Sequence, residues 1–319
     1  MRRHTGGLLG ILLAGGALLA GCAATSPGPE PAPVAAAVPR PVEPLISAPD
    51  TGASAQLADY YARVQTGLLS QGLLRTDSGT TDAPFTARDL VRNFLKIAFY
   101  EEYVDAGGTL VARESRSRMH RWDVPVTLSV QFGASVTGEK RARDAAEVSR
   151  YVSQLARASG HPVRQVQAGT GNFRVFIVNE DERRALGPVL RSIVPNISST
   201  ALNTVVNLPR STYCLAFATD PEGDGTYSNA IAVIRSEHPD LLRTSCIQEE
   251  LSQGLGLSND YALARPSIFN DDEEFGFLTR HDELLLKMLY DRRLRPGMAE
   301  AEARPIVEVI AAELMAQGT

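Results

Sequence analysis

The residues of this chain whose types and spacing could carry chemistry lie in 245–260, which reads SCIQEELSQGLGLSND. If this stretch is a helix, Glu249 and Gln253 are one turn apart and about 40° from each other, and Glu250 lies about 60° further round. Zinc peptidases use this layout, with two metal ligands at positions i and i+4 and the general base directly after the first ligand. The spacing therefore raises the question of a metal centre.

The same stretch has the features of a helix from 245 to 256. Ser245 is a candidate N-cap, and Gln248 three residues later would complete a capping box. Gly256 is a candidate for the residue that stops the helix. Three apolar residues fall within a sector of about 80° on the side opposite the polar residues, and they are predicted to face the core. These are Ile247, Leu251 and Leu255.

The donor atoms on the polar face differ from those that zinc prefers. Zinc is bound by imidazole or thiolate groups, and the neutral oxygen of Gln253 is a poor substitute. Without a tightly held cation, Glu250 has no activated water to deprotonate. Two alternatives stay open: a solvated helix face, or a harder divalent metal such as Ca²⁺ or Mg²⁺ on oxygen ligands. The carboxylates that could supply those ligands are Glu249, Glu250, Asp260, Asp271 and Asp282.

Other candidate sites are weaker. The histidines have no metal-ligand spacing on a helix, and His281 is predicted to be a surface or capping residue. The acidic run at 270–274 is predicted to be a solvated loop, and DPEGDG at 220–225 a solvated hairpin loop. The chain has no nucleophile-elbow, phosphate-loop or dinucleotide-binding motif.

The first residues have the features of a secretory signal. A basic start is followed by a short apolar run at 8–21, which is too short to span a bilayer comfortably as a helix. The segment at 19–22, LAGC, resembles the lipobox of bacterial lipoproteins. That resemblance implies that residues 1–21 are a signal peptide and that Cys22 is lipid-modified. Ala23 favours the outer membrane, so the prediction is an outer membrane lipoprotein that faces the periplasm.

Charge and cysteine content narrow the possible partners. The formal charge is −5 and falls to −7 once Arg2 and Arg3 leave with the signal, so no nucleic-acid partner is expected. The cysteines that remain after Cys22 are an even pair, Cys214 and Cys246. In an oxidising compartment they are predicted to form a disulfide that ties a strand to the first turn of the helix.

The pattern along the chain predicts one main domain of the α+β class. Residues 22–53 carry the lipidated cysteine and a Pro/Ala-rich tether, and 54–83 form a helical extension. The globular domain covers 84–319. Alternating or apolar runs predict strands, and longer periodic runs predict helices. The predicted strands are 122–132, 172–179, 213–219 and 229–236.

Several segments together resemble the bacterial lipoprotein family catalogued as domain of unknown function 2927. They are SCIQEELSQGLGLSND, SIFNDDEEFGFLT, HDELLLKMLYD and LRPGM. The resemblance covers most of 84–319. It implies a distant relation to the zincin metallopeptidases, and hence a single zincin-like domain with a small mixed sheet and an active-site-type helix at about 245–256.

The resemblance also implies roles for individual residues. Glu249 matches the first zincin ligand, Glu250 the catalytic glutamate and Gln253 the second ligand. Asn259, followed by Asp260, falls near the position of a third ligand. Only Glu250 keeps the zincin residue type, so ordinary zinc-peptidase chemistry is not expected.

The expected function is that of a lipid-anchored envelope module, a pseudo-metallopeptidase that binds or assembles a periplasmic protein or peptide. No cofactor is predicted beyond the divalent metal considered above. The rival hypothesis is an atypical metallohydrolase with Glu250 as general base and an oxygen-rich metal site. An open cleft around Glu249, Glu250 and Gln253, with a further acid or His281 beside it, would favour the rival.

Overall fold

A computed structural model describes residues 46–105, 110–195 and 197–317 of the chain. The predicted signal peptide, the lipidation site at Cys22 and most of the predicted tether lie outside the described residues. Across the described ranges, no helix combines the length and the apolar character needed to cross a membrane.

The centre of the fold is a mixed five-stranded sheet in the order β4-β3-β5-β7-β6. The strands β3, β4, β5 and β7 are parallel, and β6 runs antiparallel to β7 at one edge. The α+β class and the four predicted strands are confirmed, although the first strand begins at Val126 and leaves Val124 exposed. The bounds are β3 Val126–Phe132, β4 Val163–Gln165, β5 Phe173–Val178, β6 Cys214–Thr219 and β7 Asn229–Arg235.

A separate antiparallel pair, β1 Tyr100–Asp105 and β2 Leu110–Arg116, follows the second helix. It was not predicted because its sequence lacks a clean apolar alternation. The helices of the described residues are α1 Ala53–Ser70, α2 Ala87–Ala98, α3 Gly138–Ser159, α4 Glu180–Arg184, α5 Gly187–Ile193, α6 Ser199–Val206, α7 Asp240–Gln253, α8 Arg280–Leu289 and α9 Glu300–Gln317.

The sheet has a core on each face, because successive side chains of a strand point to opposite sides. In β5, Val175 and Ile177 belong to the larger core, which is shared with α2, α3, α7, α8 and α9. Phe176 and Val178 belong to the smaller core under α5 and α6. Helix α1 forms a third cluster with the first turn of α7, through Tyr61 and its neighbours.

Two predicted helix bounds were wrong. Helix α7 begins at Asp240 after Pro239, so Ser245 is a buried residue inside the helix and not its N-cap. The ring of Pro239 fixes its φ angle at a value that suits the residue before a helix. The negative charge of Asp240 is favourable at the N-terminus of a helix. The predicted stop at Gly256 was also wrong, because the helix ends at Gln253 with Gly254 as its C-cap.

Helix α2 begins with a capping box at Thr86. The Thr86 side chain accepts from the backbone N–H of Asp89, and the Asp89 carboxylate accepts from the backbone N–H of Thr86. This reciprocal pair satisfies two N–H groups that a helix start otherwise leaves open.

His238, two residues before α7, gives the fold a pH dependence. Its ring is fully buried between Tyr61 and Tyr213, and neither ring nitrogen has a hydrogen-bond partner among the described residues. Burial, and then the charges of Arg235 and Arg243, lower the pKa of His238 well below its ordinary value. The unfolded chain therefore binds more protons than the folded chain below about pH 6.5.

We expect the free energy of unfolding to fall as the pH drops from about 7 to about 5, at up to about 1.4 kcal/mol per pH unit from this residue. Urea unfolding of the wild type and His238→Phe across this range measures the contribution. The variant should show a shallower pH dependence than the wild type. Equal slopes for wild type and His238→Phe would contradict the assignment.

Candidate functional site

An open cleft of about 500 Å³ lies between the second half of α7, the edge strand β6 and the loop at 270–273. Its lining is strongly acidic. None of the described residues that line it is a lysine, arginine or histidine. The acidic residues are Glu102, Glu249, Glu250, Asp260, Asp271, Asp272 and Glu273, and Gln253 lies among them.

Helix α7 positions three of these residues as its amphipathic pattern predicted. Its apolar face, formed by Ile247 and Leu251, is completely buried, as is Leu255 directly after the helix. The opposite face carries Glu249 and Gln253, both half-buried at the cleft. Burial of the apolar side fixes the rotation of the helix, and this rotation turns the polar face to the cleft.

Glu250 is the most buried acid of the cleft, with a side chain that is only 4% exposed. Its carboxylate faces the backbone N–H of Ala216 in β6, which acts to lower its pKa. Its Oε2 is enclosed and has no hydrogen-bond partner within the described structure. Burial, followed by the charges of Glu102 and Asp260, raises the pKa of Glu250 well above its usual range.

Glu249 lies beside Glu250, and a carboxylate oxygen of each lies within 4.8 Å of the other and of Cys214 Sγ. That sulfur is not a thiolate, because Cys214 is bonded to Cys246 and the predicted disulfide is confirmed. The bond joins β6 to the middle of α7, not to its first turn, since the helix begins earlier than predicted. The disulfide therefore links two walls of the cleft.

Asp260 completes the group on the side of Gln253. Gln253 Nε2 donates to Asp260 Oδ1 at 3.2 Å. The carboxyl group of Asp271 also interacts with that of Asp260. Burial, with Glu102 and Asp271 as the next causes, raises the pKa of Asp260 well above its usual range.

The acidic run at 270–274, predicted to be a solvated loop, contributes to the cleft. Asp271 and Glu273 both line it. Burial, and then Asp271 and Asp272, raise the pKa of Glu273 to about 7. The backbone N–H of Leu74 donates to Glu273 O at 2.8 Å and holds the loop against the N-terminal extension. This pairing joins residues about 200 positions apart, so no local pattern could have predicted it.

Three candidates from the sequence lie away from the cleft. Asn259 is buried, and its Nδ2 donates to the backbone oxygens of Lys96 and Asp260. His281 is fully buried beside Asn93, so its prediction as a surface residue was wrong. Asp282 is also fully buried, and it caps the start of α8 through Thr279 and Ser267.

A second, less acidic cleft of about 330 Å³ adjoins the first and shares Glu102, Leu215 and Ala216 with it. The two clefts together form a groove along β6. The lining of the second cleft includes Phe217 and Tyr227, and the ring of His120 stacks on that of Tyr227. This groove was missed in the sequence because its lining comes from distant segments.

The loop at 220–225 closes the hairpin between β6 and β7, as predicted. One carboxylate oxygen of Asp220 accepts from the backbone N–H of Gly223 at 2.8 Å, and the other accepts from that of Gly225 at 2.7 Å. These two hydrogen bonds to the Asp220 carboxylate stabilise the turn.

The fold and the site thus define a mixed α+β domain with an acidic cleft at the antiparallel edge of its sheet. The family model described as "Protein of unknown function (DUF2927)" matches residues 87–309. The chain belongs to this family, and the matched range contains all the acidic residues of the cleft. No curated protein matches the chain.

Proposed function

We propose that this protein is a lipid-anchored module of the bacterial cell envelope that binds an extended polypeptide segment in the groove along β6. The observation that carries the proposal is the free edge of β6 beside two adjoining clefts. Within the described part of the chain, β6 pairs with β7 alone. A free strand edge beside a groove is a common receptor for an extended peptide, which adds to the sheet as a further strand.

The backbone of β6 supports this mode of binding. The oxygen of Thr219 accepts from Ser228 on the side of β7, whereas the N–H of Ala216 is directed to Glu250 on the free side. Because the groups of an antiparallel strand alternate, those of Ala218 also point to the free edge. A bound segment can therefore pair with Ala218 and the oxygen of Ala216.

The lining of the groove indicates the chemistry of the segment. The first cleft presents carboxylates, which favour basic side chains or a cation between ligand and protein. The second cleft presents Leu215, Phe217 and Tyr227, which favour apolar side chains. An extended segment with alternating basic and apolar residues fits both.

We further propose a zincin-like origin for this domain without ordinary zinc-peptidase activity. The arrangement of α7 beneath an antiparallel edge strand supports the kinship. On this comparison, Glu249 and Gln253 occupy the positions that two zinc ligands have in a zincin. These residues offer oxygen donors where zinc prefers imidazole or thiolate groups. The domain is then a pseudo-metallopeptidase that retains the groove and lacks the zinc centre.

The second candidate is an atypical metallohydrolase. It is favoured by the open cleft around Glu249, Glu250 and Gln253 with further acids beside them, and by Glu250 itself. Its carboxylate lies at the cleft beside β6, with one oxygen free of hydrogen bonds among the described residues. A raised pKa brings a carboxylate closer to the value that suits a general base near neutral pH. In this candidate Glu250 deprotonates a water held on an oxygen-rich metal site.

Peptide binding is tested with a blocked segment of about ten alternating lysine and valine residues, a length typical of a long strand. We expect the full chain to bind it, and Ala218→Pro to weaken binding about tenfold or more, because the substitution removes a donor at the free edge. A segment of alternating glutamate and valine is the charge control and should bind poorly. Failure of the wild type to bind the basic segment would contradict the proposal.

Hydrolysis is tested separately with unfolded casein. The full chain is expected to leave casein intact, with or without added metal. The hydrolase candidate instead requires a bound metal at about one ion per chain and cleavage that is lost in Glu250→Ala. That pair of results would replace the binding module with the enzyme.

The proposed anchor is tested by the location of the protein in cells. Cys22→Ser should move the protein from the membrane fraction to the soluble periplasmic fraction, because it removes the proposed site of lipid attachment. A Cys22→Ser protein that stays with the outer membrane would contradict a lipid anchor at this residue.

A further inference from the structure

We propose that the acidic cleft binds one hard divalent cation of the Ca²⁺ class, held by Glu249, Glu250 and Asp260, with Asp271 and Glu273 completing the charge around it. The inference concerns a ligand that no comparison assigns. It rests on the proposed function in one respect, that this cleft is the functional site of the protein. Binding of a cation there does not require a bound peptide.

The acidic lining of the cleft favours a bound cation. Two buried acids elsewhere in the fold are paired with arginines: Asp144 Oδ1 lies 2.9 Å from Arg243 Nη2, and Glu180 lies between Arg183 and Arg235. The lining of the cleft, among the described residues, contains acids and no basic side chain. Closely spaced carboxylates repel one another, and a divalent cation would offset that repulsion.

The buried oxygen of Glu250 is an independent observation that points to a ligand. The residue is 4% exposed, lines the cleft, and has an Oε2 with no partner among the described groups. A buried polar atom without a hydrogen bond is costly, and the great majority of such atoms are satisfied in folded proteins. A cation bound in the cleft would supply the missing partner.

The type of donor selects the class of cation. Apart from the phenol of Tyr213, the ionisable side chains of the cleft are carboxylates, and the one nearby sulfur, Cys214 Sγ, is held in the disulfide. Carboxylate, carbonyl and water oxygens suit Ca²⁺ and Mg²⁺, whereas thiolate and imidazole suit zinc.

The spacing of the carboxylates and the irregular arrangement of the segments that carry them favour Ca²⁺ over Mg²⁺. Oxygens of Glu249 and Glu250 lie within 4.8 Å of each other, and two ligands of one Ca²⁺ are at most about 5 Å apart. The remaining acids come from the segment after α7 and from the loop at 270–273, which gives an irregular ligand set. Ca²⁺ accepts such a set, whereas Mg²⁺ demands near-ideal octahedral geometry. The open side of the cleft lets water complete the coordination.

Calorimetric titration of the EDTA-treated full chain with CaCl₂, in the absence of any peptide, tests the site. We expect binding of about one ion per chain, and a loss of affinity of about tenfold or more in Glu250→Gln. The matched control is Glu308→Gln, which changes an exposed glutamate of α9 and should bind as the wild type does. Terbium emission sensitised by Tyr213, which lines the cleft, gives a second readout of occupancy.

Thermal unfolding shows whether the variant is folded. Without calcium, Glu250→Gln should melt at or above the wild-type temperature, because it removes one of the repelling charges. Added calcium should raise the melting temperature of the wild type and the Glu308→Gln control, and raise that of Glu250→Gln by less.

The outcomes separate this inference from the proposed function. No calcium binding at millimolar concentration, or equal affinity in wild type and a folded Glu250→Gln, would overturn the cation site. Binding of the basic segment by the wild type in EDTA tests the peptide function alone. Loss of that binding with calcium binding intact would overturn the peptide function and leave the cation site standing.

Discussion

Replacing Glu180 by glutamine is expected to lower the free energy of unfolding by about 3–5 kcal/mol, the usual result of breaking a buried ion pair on one side. Glu180 starts α4 and is 5% exposed, and two of the three arginines that contact it, Arg183 and Arg235, are each 1% exposed. Glutamine keeps the volume and removes the charge, so both guanidinium groups would stay buried without their shared carboxylate.

The geometry explains the size of the effect. Arg183 Nη2 donates to Glu180 Oε1 and Arg235 Nη1 donates to Glu180 Oε2, each at 2.6 Å. Burial alone would raise the pKa of Glu180, but the hydrogen bonds and charges of Arg183, Arg184 and Arg235 lower it to about 2. The folded pKa is below the unfolded one, so this stabilisation is complete above about pH 4.5 and is lost as the pH falls toward about 2.

Urea unfolding near neutral pH, followed by circular dichroism, measures the change. Glu308→Gln is the control, since its glutamate is exposed on α9, and it should alter stability by no more than about 0.5 kcal/mol. Toward acid pH the gap between wild type and Glu180→Gln should narrow, because protonation removes the same charge. A Glu180→Gln protein within about 1 kcal/mol of the wild type would show that the buried arginines do not need this carboxylate.

Removing the disulfide with the double substitution Cys214→Ala, Cys246→Ala is expected to cost about 3–4 kcal/mol of stability. The bond closes a loop between residues that are 32 positions apart, and the entropy of the open loop in the unfolded chain gives this magnitude. The bond also joins β6 to α7 at the cleft. We therefore expect weaker binding of calcium and of the basic segment in the double variant.

Chemical unfolding of the wild type with and without a reductant, beside the double variant, checks this expectation. Reduction should bring the wild type close to the stability of the variant, and it should leave the variant unchanged. Equal stability of the oxidised wild type and the double variant would mean that the bond adds nothing to the folded state.

The elements of the sheet and several helices could be predicted from local patterns. Alternation of apolar residues located β3, and the helical spacing of Ile247 and Leu251 located the buried face of α7. Both signals act over a few residues, because the period of one strand or one helix decides them.

Other elements depend on partners far along the chain. The sequences of β1 and β2 are rich in polar residues. These two strands pair with each other and not with the central sheet. The start of α7 was misplaced because Ser245 is a good cap in isolation, whereas Pro239 and the packing of the first turn against α1 put the helix start earlier. Tertiary packing overrode the local preference in that case.

The sequence by itself determined that Glu249, Glu250 and Gln253 share one face of a helix and that the opposite face is buried, since helical period and apolar spacing are local properties. It also determined the disulfide, through the even pair of cysteines. Only the tertiary structure decided that this face meets the free edge of β6 and is joined by Glu102, Asp271 and Glu273. Their convergence depends on strand order and on the pairing of Leu74 with the acidic loop, and such contacts between distant segments leave no periodic trace in a single sequence.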